Sequence, residues 1–131
     1  MLAATLSNAT ATTNAYQNSA TTEINGNLKH VIKVAWTPGV IGNVLSINPQ
    51  TRFLVDSVGT AWTPDMTWGA AAGTKTKTDN VYTHTATGTT EVGFTIILEG
   101  GGDDLRVQFK ESDDGAAGKG TIKIKVYSVN A

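Results

Sequence analysis

Cysteine is absent from the chain, which excludes disulfide staples, thiolate nucleophiles and cysteine-ligated zinc, and leaves packing and hydrogen bonding to hold the fold. Histidine is nearly as scarce. His30 and His84 are the only two, and each stands on an alternating stretch with no carboxylate or second ligand close in sequence. Either would serve as an acid or base only if folding brought Asp56 or Asp79 beside it. An excess of charge of one sign is also missing. Ten Lys and Arg against eleven Asp and Glu give a net charge of −1, whereas nucleic-acid binders usually carry a strongly basic surface. No run approaches the ~18 to 20 apolar residues that a membrane-spanning helix requires. Walker loops, zinc ligand sets and nucleophile elbows do not occur, and Gly100-Gly101-Gly102 precedes a strand signal rather than a helix. The expectation is a non-enzymatic protein with no cofactor and no metal, and with neither nucleic acid nor membrane as partner.

Helical periodicity is missing as well: apolar residues do not recur at i, i+3, i+4 and i+7 over a helical length. What is present is a period of two. In VLSINPQTRFLVDSV, Val44 to Val58, Leu45, Ile47, Pro49, Thr51, Phe53 and Val55 fall on one side. Ser46, Asn48, Gln50, Arg52 and Asp56 fall on the other, as a half-buried strand requires. Pro49 cannot donate to a ladder, so it places this strand at a sheet edge or a bulge.

The same alternation marks LKHVIKVAW, with Leu28, His30, Ile32, Val34 and Trp36 on one face. It returns in VGFTIIL (Val92, Phe94, Ile96 and Leu98), in LRVQFK (Leu105, Val107 and Phe109) and in TIKIKVYSV (Ile122, Ile124 and Val126). Turn signals separate these runs, Thr37-Pro38-Gly39 among them. Seven or eight short strands in 131 residues predict an all-β fold, an antiparallel β-sandwich. A chain of this length suits one core.

Residues 1–22 are expected to form an extended N-terminal arm and residues 23–131 the β-sandwich domain. The first 27 residues are rich in Thr, Ala, Asn and Ser, with Leu2, Leu6, Tyr16 and Ile24 as the larger apolar side chains. Such a stretch is either a mobile arm or a strand that needs another surface. It has neither the basic region nor the continuous apolar core of a secretory signal, so synthesis in a cytoplasm is expected. GAAAGTKTKT, Gly69 to Thr78, reads as a long loop.

Three groups of residues are candidates for contact. Trp62 and Trp68, in or beside loops, are suited to a partner surface, whereas Trp36 belongs to the core face. With Tyr82 the two loop indoles can also make a stacking platform for sugar rings. Lys123, Lys125, Arg106 and Lys110 lie on outward faces, either as a basic patch or as lysines that block stray strand pairing. Asp103-Asp104 and Asp113-Asp114 are acidic turns at opposite ends of one strand, spaced unlike an EF-hand.

The order of motifs resembles small all-β virion structural proteins of tailed phages, of the capsid decoration or cement kind. The likeness lies in Trp36-Thr37 and Gly39, Leu45 to Pro49, Gly59-Thr60-Ala61-Trp62, YTHTATG from Tyr82 to Gly88, LRVQFK and the final Gly-Thr-Ile-Lys-Ile, across most of residues 20 to 130. It implies a structural protein at the capsid surface of a virion. Such a protein oligomerises with itself, often as a trimer, and binds the major capsid protein lattice. Leu2, Leu6, Tyr16, Trp62 and Trp68 are the expected partner-binding residues. The alternative is a carbohydrate-binding module or phage adhesin domain that uses Trp62, Trp68 and Tyr82.

Overall fold

A computed structural model describes the backbone of residues 2–24, 27–55, 58–59, 62–64, 67–71, 76–78, 81–99, 102–112 and 119–129, and for Leu2, Val55 and residues 58–59, 63–64, 67–71 and 76–78 the backbone alone. These residues form strands and no helix. In chain order the strands are β1 (Leu2–Ala11), β2 (Gln17–Asn18), β3 (Thr22–Glu23), β4 (Lys29–Thr37), β5 (Val44–Arg52), β6 (Leu54–Val55) and β7 (Val58–Gly59). They continue as β8 (Thr63–Pro64), β9 (Thr67–Ala71), β10 (Thr76–Thr78), β11 (Val81–Thr85), β12 (Val92–Glu99), β13 (Asp104–Ser112) and β14 (Thr121–Val129).

Two antiparallel sheets pack as a sandwich. The first runs β1-β14-β4-β12-β9, and the second β10-β11-β5-β13-β2, with β3 on β13 and β8 on β5. The register carries the sequence alternation across the first sheet in rows. Ile124, Val34 and Phe94 lie side by side, as do Val126, Ile32 and Ile96, and all six are buried. Leu45, Ile47, Leu105, Val107 and Phe109 face them from the second sheet and are also buried. Fully burying one such side chain contributes roughly 1.5–3 kcal/mol, so these facing rows are the main source of stability.

The Thr/Ala-rich start of the chain is a strand with a surface of its own. β1 lies antiparallel along β14, from Leu2 opposite Ser128 to Ala11 opposite Thr121, and β2 pairs with β13. Leu6 and Thr12 are buried beneath it. The register breaks between Thr5 and Ser7 and again before Thr10, and Ala9 adopts φ 53°. That is a left-handed conformation which few non-glycine residues take.

Pro49 sits where a residue without an N–H costs least. It lies opposite Val107 on β13, whose own N–H and C=O bond to Ser19 on the far side. On the other flank of β5 the ladder to β11 stops at Ile47 and that to β8 starts at Gln50. The proline falls in the break between them. Beside it Asn48 Oδ1 is buried without a hydrogen-bond partner among the described residues.

One carboxylate closes an end of the sandwich. Glu111 is fully buried on the inward face of β13. Its Oε1 accepts from Thr12 Oγ1 at 2.8 Å, Trp36 Nε1 at 2.8 Å and Gly120 N at 3.1 Å. Oε2 accepts from Asn43 Nδ2 at 2.6 Å and Gly39 N at 2.9 Å. Burial alone would raise its pKa, but the bonds from Asn43, Trp36, Gly39 and Thr12 outweigh burial and hold the carboxyl below its ordinary range.

Five expectations change. β5 is neither an edge strand nor bulged at Pro49, since it lies between β11 and β13 and keeps an unbroken register with β13. Phe53 is exposed rather than inward, because β5 ends at Arg52 and the chain turns as Leu54 N bonds to Asp103 Oδ2 at 2.7 Å. Leu28 lies before β4 begins and is exposed. Residues 69–78 are not one long loop, since β9 and β10 occupy parts of them. β9 pairs with β12 and β10 with β11. Tyr82 is buried, and burial raises the pKa of its phenol, so it is not a surface platform residue.

Candidate functional site

The outer face of the second sheet gathers two of the five expected partner-binding residues, Tyr16 and Trp62, with two of the outward cations, Arg106 and Lys110. β5 and β13 pair with Arg106 opposite Gln50, Asp104 opposite Arg52 and Gln108 opposite Asn48. The inward alternation of Leu105, Val107 and Phe109 therefore leaves Asp104, Arg106, Gln108 and Lys110 pointing outward. β8 adds to the edge of β5 with Thr63 opposite Thr51, which brings Trp62, one residue earlier, to the level of Arg52. The guanidinium carbons of Arg52 and Arg106 lie 4.5 Å and 4.4 Å from the Trp62 ring centroid. Each such contact is worth about 0.5–1 kcal/mol at an exposed site.

Hydrogen bonds fix this cluster from beneath. Arg52 Nε is 2.9 Å from Asp104 Oδ2, and Arg106 Nε donates to Gln50 Oε1 at 2.9 Å. Gln50 Nε2 donates to Gln108 Oε1 at 3.2 Å, and Gln108 Nε2 to Asn18 Oδ1 at 2.9 Å. Burial first, and then the neighbouring Arg52, lower the pKa of Arg106. The guanidinium remains cationic across the working pH range. At the other end of the row the Lys110 ammonium lies 4.6 Å from the Tyr16 ring centroid. Arg106 to Lys110 spans four residues, roughly 13 Å of strand, so an aromatic ring with its cations stands at each end of a polar, amide-rich strip. Aromatic residues and arginine held in place on a flat face are the residue types that anchor protein interfaces.

The other candidates lie elsewhere. Leu6 is buried in the core, and the side chains of Leu2 and Trp68 are outside the described residues. Lys123 and Lys125 occupy the first sheet, whereas Arg106 and Lys110 belong to the second, so the four do not form one basic patch. His30 is buried with Nδ1 2.8 Å from Ser128 Oγ. His84 packs edge-on to Trp36 at 6.1 Å between centroids and near Phe94 at 6.4 Å. Asp103 and Asp104 bond to Leu54 N and Arg52, and Asp113-Asp114 lies outside the described residues. Among the described residues no three His, Asp or Glu gather as a metal site.

Sequence reading missed Arg52 and Gln50 as parts of the Trp62 site. Their outward alternation on β5 was legible, but their pairing with Arg106 depends on a register that only the folded sheets supply. Comparisons with protein-family models, with curated proteins and with solved structures find no match to this chain.

Proposed function

We propose that the protein is a structural component of a phage virion: a capsid decoration (cement) protein that self-associates and binds the major capsid protein lattice through the outer face of its second sheet. The observation that carries this reading is the placement of Tyr16 and Trp62 on one face, each against cations and joined by a hydrogen-bonded amide strip. A preorganised face loses little side-chain freedom on docking, which favours a repeated, stable contact. The resemblance to decoration proteins in motif order supplies the partner.

The competing reading is a carbohydrate-binding or adhesin domain, for which Trp62 is the remaining described platform residue, because Tyr82 is buried. Co-sedimentation with capsid shells assembled from the major capsid protein of the same genome tests the first reading, and a glycan array the second. Saturable binding to shells with no array hit that depends on Trp62 is the expected result. An array hit lost in Trp62→Ala, with no binding to shells, reverses the order.

A further inference from the structure

The outer face of the first sheet carries a groove of about 540 Å³, within the size range of small-ligand sites. Its floor is Ala35 and Gly93, directly opposite each other on β4 and β12. A Cβ on Gly93 would meet only the Val34 carbonyl, at 3.9 Å, so the floor is low and open. Lys33, Lys123 and Lys125 rise around it, with Thr5, Asn8 and Thr95 on the rim.

Two features mark this groove as more than a solvated lysine face. Lys125 lies directly opposite Lys33 across the β14–β4 ladder, and like charges placed so destabilise a sheet. Lys33 Nζ donates to Thr95 Oγ1 at 2.9 Å and Lys125 Nζ sits 5.4 Å from the Tyr127 ring centroid. Among the described residues neither meets a carboxylate, whereas Lys123 reaches Glu91 at 3.6 Å across an exposed pair. Lysines that guard a sheet edge against stray pairing are a common device, but β14 and β4 are interior strands of this sheet. The second feature is the wall. β1 breaks register on both sides of Ser7, and Ala9 holds a left-handed φ of 53°. Bulges re-aim side chains beside binding sites, and strained backbone persists where surrounding structure and function hold it. Here the irregularity brackets Asn8, a rim residue.

We infer that this groove binds an anionic saccharide, a pyranose unit bearing a carboxylate or sulfate. The ammonium groups of Lys33 and Lys125 take the acidic group. The hydroxyl and amide rim of Thr5, Thr95 and Asn8 meets ring hydroxyls, and the low Ala35–Gly93 floor admits the flat of the ring. A negative charge between the opposed lysines removes the repulsion that the unliganded sheet carries. The site is on the opposite layer from Trp62 and does not depend on the proposed capsid contact.

Calorimetric titration of the full chain with a sulfated heparin-type oligosaccharide, an oligogalacturonate, free galacturonic acid, inorganic sulfate and a single-stranded oligonucleotide tests it. Wild-type protein is expected to bind at least one acidic oligosaccharide with an affinity that falls as salt rises. The Lys33→Gln/Lys125→Gln variant should lose at least tenfold in affinity yet melt at the same temperature as wild type or higher without ligand. Trp62→Ala should bind as wild type does. Binding of galacturonic acid alone assigns the site to a free sugar acid, and binding of oligomers only assigns it to a polysaccharide. The inference is overturned by no saccharide binding, by binding that survives the double variant, by sulfate binding as tightly as any saccharide, or by an oligonucleotide that binds more tightly than every sugar.

Discussion

Trp36 Nε1 donates to Glu111 Oε1 at 2.8 Å, and this bond ties the inward face of the first sheet to that of the second at one end of the sandwich. The carboxylate also gathers donors from Thr12, Gly39, Asn43 and Gly120, so the segment after β1, the β4–β5 connection and the start of β14 are all held by one side chain. Five donors compensate the desolvation of a buried charge that would otherwise be very costly.

Replacing that carboxylate should therefore cost far more than a surface change. Glu111→Gln presents an NH₂ to a ring of donors and leaves at least one of them without an acceptor. The expected loss is on the order of 3 kcal/mol, read as a lower urea midpoint at unchanged slope. A loss under about 0.5 kcal/mol would mean that the five bonds do not hold the end together.

Acid should reveal the same group. The Glu111 pKa is lowered in the folded protein and returns to its ordinary value on unfolding, so the unfolded state binds the proton more readily. The stabilisation is fully present above the ordinary carboxylate range and is lost as pH falls through that range to the folded value. Melting temperature is expected to drop as pH falls through and below the ordinary carboxylate range in wild type, with a smaller drop in Glu111→Gln. Equal acid slopes in the two proteins would assign the effect to other carboxylates.

Gly120 is the second half of this closure. A Cβ there would overlap the Thr37 carbonyl oxygen and lie 2.8 Å from Gly39 N and 2.9 Å from Glu111 Oε1, all of it backbone or pinned by the cluster. Gly120→Ala should destabilise by several kcal/mol, about 2 or more. Gly88 has nothing within 4 Å of a Cβ, and Gly88→Ala should stay within about 0.5 kcal/mol of wild type or gain slightly. Paired denaturation curves of the two variants check the contrast.

Much of this architecture was legible from alternation alone. The inward sets Ile32-Val34-Trp36, Leu105-Val107-Phe109 and Ile122-Ile124-Val126 are buried as read, because a period of two leaves a half-buried sheet little choice of face. Phe53 misled because its position continues the alternation, whereas the ladder to β13 ends at Arg52 opposite Asp104, which the alternation does not show. Glu111 was invisible for the opposite reason. It occupies an inward position by parity after Phe109, but four of its five donors, Thr12, Trp36, Gly39 and Asn43, come from positions far away in sequence. Trp62 and Tyr16 were chosen for their chemistry; that they share a face with Arg52, Arg106 and Lys110 follows from β2, β5, β8 and β13 meeting in one sheet. The opposition of Lys33 and Lys125 is likewise a matter of register.

Trp62 should matter little to the fold. Trp62→Ala removes two cation–ring contacts on an outer face, for an expected loss of about 1–2 kcal/mol, and the cooperative melt should persist. Loss of the cooperative transition would make Trp62 a core residue instead of a surface anchor.

Co-sedimentation of the Tyr16→Ala/Trp62→Ala variant with shells of the major capsid protein is the most direct measurement. Wild-type protein is expected to pellet saturably with the shells, and the double variant, still melting cooperatively, to stay in the supernatant. Shell binding by the double variant equal to wild type, or no binding by wild type at all, would contradict the assignment of this face to the capsid.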